Sequence, residues 1–191
     1  LAGSGCATPG RSGDATSDES RFRHGVASGD PLADRVILWT RITPEADRAD
    51  QPIRASWFLS RDAAGNDRID GGDVDALPER DFTLKIDATG LDPASDYFYG
   101  FEASGHSSPI GRTRTLPETT DSPERIRMAV ASCANYPYGY FNAYAAIAER
   151  DDLDVVLHLG DYIYEYGDEG YGKSDFVGRE ADPLHEIVKL D

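Results

Sequence analysis

Long apolar runs are missing from this 191-residue chain. None reaches the roughly 18 consecutive apolar residues of a membrane-spanning helix, which excludes a helical integral membrane protein. Cysteine is scarce, with two in the sequence, so a small fold stapled by disulfides is excluded as well. Basic charge is also in short supply. Nineteen Lys and Arg against thirty-five Asp and Glu leave a net charge of −16, the wrong sign for gripping a phosphate backbone, and no nucleic-acid-binding surface is expected. Lysine occurs only at Lys85, Lys173 and Lys189. An acidic surface with Arg in place of Lys fits adaptation to salt, and it equally fits a GC-rich coding sequence. No fixed period points to a solenoid or propeller. What remains is a chain with 39% hydrophobic residues, long enough for one large domain or two small ones with a real core.

The two ends read as unfinished. The chain starts at Leu1, and Leu1-Ala2-Gly3-Ser4-Gly5-Cys6-Ala7 is small and apolar, like the tail of a signal peptide. Cys6 is a candidate lipid anchor, although Gly3-Ser4-Gly5 lacks the Leu expected three positions upstream; a cleaved leader remnant is the alternative. Residues 1–20 read as a disordered remnant of that region, rich in Gly, Ser, Thr, Asp and Pro. At the other end Asp182 and Pro183 look like an N-cap and first turn, and Leu184, Ile187 and Val188 follow at i, i+3 and i+4. This predicts a helix that the sequence leaves without a C-cap, hence a fragment.

Between the ends the grammar changes once. Over 21–117, short β-branched or aromatic runs alternate with turn signals. Strands are expected at 36–42, 54–60 and 81–87, and turns at Gly29-Asp30-Pro31 and Gly71-Gly72. In the third run Phe82, Leu84 and Ile86 share one face. Leu91-Asp92-Pro93-Ala94-Ser95-Asp96-Tyr97 has the L-x-P-x-x-x-Y form of a tyrosine corner, in which the phenol hydroxyl pins the turn into the next strand. Together these predict an antiparallel β-sandwich of fibronectin type III-like kind. A polar, Pro-flanked linker follows at 118–124.

From 125 to 191 the pattern is strand, helix, strand. Ile126–Ala131 and Leu153–Leu159 read as buried strands, and Phe141, Tyr144, Ala145 and Ala148 as one stripe of a helix of about ten residues. A strand–helix–strand unit implies a parallel pair, the first part of a truncated α/β domain. In such sheets ligands bind beyond the carboxyl ends of the strands. Cys133 follows the first strand, and Gly160-Asp161-Tyr162-Ile163-Tyr164 follows the second. Each residue has an ordinary reading: Cys133 as a small buried hydrophobe, Asp161 as a turn cap, Tyr164 as core. Placed together at adjacent strand ends, a thiolate, a carboxylate and a phenol form a plausible anionic metal cage. His158 reads as a core or supporting histidine, and His24 as a residue packing the two halves together. Arg112 and Arg114 read as a solvated strand face, and Tyr136, Tyr138 and Tyr140 either line a substrate entrance or cover the sheet. The glycine-rich stretch 167–178, with Asp168, Glu169 and Asp175, reads as a lid or an insertion.

Gly160-Asp161-x-x-Tyr164 resembles the metal motif of calcineurin-like metallophosphoesterases, in their iron–tyrosinate branch. Longer stretches narrow the resemblance. Phe22-Arg23-His24-Gly25-Val26-Ala27-Ser28-Gly29-Asp30-Pro31, Val36–Arg41 and Gly111–Pro117 are similar to the N-terminal domain of the alkaline phosphatase D (PhoD-like) family. Ser132-Cys133, Gly139–Tyr144 and Leu157–Glu165 are similar to the start of its catalytic domain. The resemblance runs in family order over about residues 21 to 191.

The resemblance implies an exported phosphomonoesterase and phosphodiesterase, periplasmic, extracellular or at the cell surface, using one Fe(3+) and two Ca(2+) ions. Cys133 would then be an iron ligand, Asp161 would bridge iron and calcium beside a metal-bound hydroxide or oxo group, and Tyr164 would be the phenolate on iron. Its partners would be small phosphate esters, diesters included. Three ligands cannot close a three-metal site, so the fragment alone is expected to be inactive. The alternatives are a purple-acid-phosphatase-like enzyme, which pairs a sandwich with the same motif but places Asp at the first strand end, and a non-catalytic β-sandwich binding module.

Overall fold

The computed structural model describes residues 21–167, 170, 178–180 and 183–188. Residues 1–20 with Cys6, the loop positions Asp168, Glu169 and Asp175, and Asp182 lie outside the described residues. The chain divides into two units, Leu1–Asp121 and Ser122–Asp191.

The first unit is built from β1 (Val26–Gly29), β2 (Arg35–Arg41), β3 (Ile53–Ser60), β4 (Arg68–Ala76), β5 (Thr83–Thr89), β6 (Asp96–Ala103), β7 (His106–Ser107) and β8 (Gly111–Arg114). One antiparallel sheet has the order β1-β2-β5; the other runs β4-β3-β6-β7, with β8 also paired to β6. Alternation decides which side of each strand is buried. On β2, Val36, Leu38 and Thr40 are buried while Arg35, Ile37, Trp39 and Arg41 are only half-buried. Val36, Leu38, Leu84 and Ala88 of the first sheet share one core with Leu59, Tyr97, Tyr99 and Phe101 of the second. Burial of each large apolar side chain there stabilises the unit by about 2–3 kcal/mol. The outward faces pair acids with arginines: Arg35 with Asp87 at 3.2 Å, Arg41 with Asp81 at 2.7 Å, Arg68 with Glu102 at 2.8 Å and Arg114 with Asp96 at 3.2 Å. Such exposed pairs contribute about 0–1 kcal/mol each. His24 Nε2 lies 2.9 Å from Arg41 Nη1 in this unit.

The tyrosine corner forms as its sequence predicts. The Asp92 N–H donates to the Tyr97 hydroxyl at 2.9 Å. Thr115, buried, ties the same turn from the other side, donating to the Asp92 carbonyl at 2.7 Å and accepting the Ser95 N–H at 3.0 Å.

Several boundaries differ from expectation, each for a local reason. The strand expected at 81–87 begins at Thr83, because Asp81 and Phe82 take left-handed φ values of 50° and 52°. Gly71-Gly72 is not a turn: it sits within β4, where Gly71 faces Phe58 and Gly72 faces Trp57 across the ladder. A Cβ on Gly71 would meet the Trp57 carbonyl oxygen at 2.6 Å, so glycine here permits a close backbone approach rather than a reversal. Gly29 ends β1, and the bend falls on Asp30 at φ 48°.

The second unit holds β9 (Met128–Ala131), α1 (Asn142–Ala148) and β10 (Val155–His158). β9 and β10 pair in parallel, from Met128 opposite Val155 to Ala131 opposite His158, as a strand–helix–strand unit requires. The helix has seven residues rather than ten; Phe141, at φ 59°, stands before it as its N-cap. The strands were expected to be buried, yet Val130 is 58% and Leu159 72% exposed. One helix and two strands cannot cover both faces of a sheet. The predicted terminal helix is not present in residues 183–188. The Ile187 N–H, which a helix would direct to the Pro183 carbonyl, instead donates to the Glu165 carbonyl at 2.9 Å. Among the described residues, no helix is long and apolar enough to cross a membrane.

Candidate metal centre

The main chain brings the two strand ends together. Past the end of the paired strands three more main-chain bonds tie the two segments together: Leu159 N–H to the Ala131 carbonyl at 2.9 Å, Cys133 N–H to the Gly160 carbonyl at 3.2 Å, and Ala134 N–H to the Asp161 carbonyl at 2.8 Å. Both turns leave their strands through the left-handed region. Gly160 has φ 114°, a value only glycine adopts readily, while Cys133 and Asp161 sit at 64° and 55°. Non-glycine residues in that region store of order 1 kcal/mol or more, and such strain clusters where side chains must be aimed.

The result is a convergence on one carboxylate oxygen. The Cys133 thiol donates to Asp161 Oδ2 at 3.5 Å, and the Tyr164 hydroxyl donates to the same atom at 3.5 Å. Hydrogen bonding with Cys133, then desolvation and the charges of Cys133 and Asp161, push the Tyr164 phenol above its usual range. The Tyr164 phenol is therefore disfavoured as an anion here, and a bound cation would favour it. Among the described residues, no group of three or more His, Cys, Asp and Glu is placed to hold a metal. Cys133, Asp161 and the phenol of Tyr164 are the donors that this unit brings together. Carboxylate and phenolate are hard oxygen donors suited to a trivalent or divalent hard cation, with the thiolate as a softer third; the set fits a metal.

A supporting network lies behind the donors. The Gly160 N–H donates to His158 Nδ1 at 3.4 Å, and His158 Nε2 lies 2.9 Å from the Tyr144 hydroxyl, which donates to the Ser132 carbonyl at 3.2 Å. These partners together assign the neutral Nε2–H tautomer, so the imidazole connects the turn after β10 to the turn after β9. Its ring stacks on Tyr144 at 6.0 Å and meets Tyr162 edge-on at 5.3 Å. The supporting reading of His158 fits this placement. Tyr144 was visible in the sequence only as part of an apolar helical stripe; its hydroxyl makes it a structural link. Tyr136, Tyr138 and Tyr140 are all exposed; Tyr136 also stacks on Phe141 at 6.4 Å, and both rings lie against the Arg179 guanidinium. Nothing in the local sequence pattern singled out Arg179.

Comparison with known proteins now bears on these features. Residues 5–117 match the family model of the PhoD-like phosphatase N-terminal domain, and residues 128–191 that of the PhoD-like phosphatase itself. The chain belongs to the PhoD-like phosphatase family. Within that family it is 39% identical over 154 residues to alkaline phosphatase D of Bacillus subtilis (strain 168), covering 78% of this chain and 26% of the relative. A solved structure of PhoD superposes with a TM-score of 0.73 at 37% identity, over 81% of this chain and 30% of that one. The chain thus spans about a quarter of the length of its PhoD-like relative and represents a fragment of the family.

Proposed function

We propose that this chain is the N-terminal part of an exported, metal-dependent alkaline phosphatase and phosphodiesterase, and that Cys133, Asp161 and Tyr164 hold part of its metal centre. In this reading residues 21–117 are a fibronectin type III-like sandwich, 118–124 a linker and 125–191 the opening of an α/β catalytic domain. The observation that carries the reading is the meeting of the Cys133 thiol and the Tyr164 phenol on Asp161 Oδ2, in a chain of this family. Export rests on the small, apolar composition of Leu1–Ala7.

The proposed ions are Fe(3+) with Ca(2+), and when bound they would neutralise the charge of the phosphate ester under attack. The protein's part is to fix and deprotonate the donors. Asp161 Oδ2 accepts from both neighbours, so loading requires the thiol and phenol protons to leave. The raised phenol of Tyr164 makes loss of its own proton unfavourable until a cation is present. His158 and Tyr144 hold the two turns in place through Gly160 and Ser132. Three donors do not complete the coordination of three ions, so the 191-residue chain alone is expected to be inactive.

The test uses the full-length protein that contains this chain. Metal analysis should find iron and calcium, and ferric thiolate and phenolate should give visible charge-transfer absorption. Cys133→Ala and Tyr164→Phe should each shift or bleach that band and slow hydrolysis of p-nitrophenyl phosphate and bis(p-nitrophenyl) phosphate. Asp161→Asn should abolish both activity and metal retention. A colourless active enzyme, or one unaffected by Cys133→Ala, would overturn the assignment.

A further inference from the structure

One cavity of the first unit runs against the charge of the chain. It measures about 350 Å³ and is walled by Arg21, by Glu45, Arg48 and Gln51 of the connection between β2 and β3, by Arg54 on β3 and by Ser104 of the β6–β7 turn. Three arginines meet one acid there, in a protein that carries −16 overall. Asp47 and Asp50, on the same connection, do not line it. A concave cationic surface on an acidic chain concentrates anions locally, against the repulsion they meet elsewhere.

The wall is held in place by its own contacts. Arg21 pairs with Glu45, and Arg54 reaches Asp73 at 3.2 Å and Asp75 at 3.1 Å on β4. These pairs fix two of the arginines and absorb part of their charge, while Arg48 supplies charge that neither pair uses. The main chain shapes the connection around it. The Thr43 N–H donates to the Arg21 carbonyl at 2.7 Å, the Arg48 N–H to the Glu45 carbonyl at 2.9 Å and the Gln51 N–H to the Arg48 carbonyl at 3.1 Å. A wall built in advance lowers the ordering cost of binding. The Gln51 amide and the Ser104 hydroxyl can each donate or accept a hydrogen bond. The volume falls at the lower end of small-molecule sites, roughly 300–1,000 Å³, which leaves room for an oxyanion with an organic group attached.

We propose that this cavity binds a small molecule bearing an oxyanion, phosphate or carboxylate, with Arg48 as its main charge partner and Gln51 and Ser104 as polar contacts. A guanidinium fork matches two oxygens of either group. The site shares no residue with the Cys133–Asp161–Tyr164 cluster, so it stands whether or not that cluster holds metal.

The test uses the 191-residue chain in buffer containing a chelator at constant ionic strength, with inorganic phosphate and succinate as probes. Isothermal titration should show saturable, one-site binding; phosphate alone would assign a phosphorylated ligand, and succinate alone a carboxylate. Arg48→Gln should weaken that binding by about tenfold or more. Arg48→Lys keeps the charge but lacks the planar fork, and should recover only part of it. Glu45→Gln removes the acid from the wall and should tighten binding by about twofold or more, a gain that misfolding cannot mimic. Arg80→Gln deletes the same charge from a turn that does not line the cavity and should leave the affinity unchanged. Equal weakening by Arg48→Gln and Arg80→Gln would reduce the effect to overall charge and overturn the proposal. So would the absence of saturable binding of either probe, or an affinity unchanged in Arg48→Gln.

Discussion

Removing one oxygen from the tyrosine corner tests how the first unit is held together. Tyr97→Phe keeps the ring, which is 3% exposed, and deletes only the hydroxyl that accepts the Asp92 N–H at 2.9 Å. A net hydrogen bond of this kind contributes about 1 kcal/mol, and a donor left dry costs about 1–3 kcal/mol. Asp92 is itself exposed, so water can reach part of the orphaned amide and the lower end applies, about 1–1.5 kcal/mol. For a unit of this size that corresponds to a fall in melting temperature of about 4–12 °C. With a urea m-value of about 1.5 kcal/mol/M, the midpoint drops by about 0.7–1 M while m stays constant. Both tryptophans, Trp39 and Trp57, lie in this unit, so intrinsic fluorescence follows its unfolding in the intact chain. A Tyr97→Phe midpoint within about 0.1 M of the parent would refute the idea that this hydroxyl pins the turn. Thr115→Val, which removes the other tie to the turn, should couple to Tyr97→Phe non-additively in a double-mutant cycle.

Three further outcomes are expected. Burial pushes the Tyr99 phenol up to about 12, against a partial lowering by its hydrogen bond with Ser28. The folded form thus keeps a proton that the unfolded chain releases near pH 10, so this contribution is intact below pH 10 and is lost as pH rises towards 12. The loss is on the order of 2–3 kcal/mol and should vanish in Tyr99→Phe, read by unfolding midpoints across that range. Gly111→Ala would place a Cβ within 2.5 Å of the Tyr99 ring, and since that ring is fully enclosed the variant should lose about 1–3 kcal/mol in denaturant unfolding. Limited proteolysis of the 191-residue chain should trim 122–191 and spare 21–121; degradation in the opposite order would contradict the exposure of Val130 and Leu159.

The strands β2 and β3 were legible because Val36–Trp39 and Trp57–Leu59 are β-branched, aromatic or aliphatic with little else to explain them. β4 was hidden because its glycines look like punctuation; their meaning depends on Trp57, a residue of the neighbouring strand that only the fold supplies. The tyrosine corner was legible because Leu91, Pro93 and Tyr97 are local to one turn. The helix expected after Asp182 illustrates the reverse case: Leu184, Ile187 and Val188 have helical spacing, but the Ile187 amide found the Glu165 carbonyl instead. The approach of Cys133 to Asp161 followed from topology alone, since parallel strands must present their carboxyl ends on the same side. Arg179 could not be found that way. It belongs to no periodic segment, and its place is set by the Tyr136 and Phe141 rings that lie against its guanidinium.

The three main-chain bonds past β9 and β10 have a consequence for how the proposed centre can change over time. Cys133 and Asp161 are placed by main-chain N–H and carbonyl groups at 3.2 Å and 2.8 Å, not by packing of their own side chains. The scaffold is therefore indifferent to which donor atom it carries. An acidic residue at 133 tolerates a left-handed backbone at least as well as cysteine does, so the hardness of the donor set could drift by single codon changes while the turns keep their course. If the proposed metal reading holds, metal preference would then evolve as a choice of side chain on a fixed frame, with no refolding step between one ion and the next.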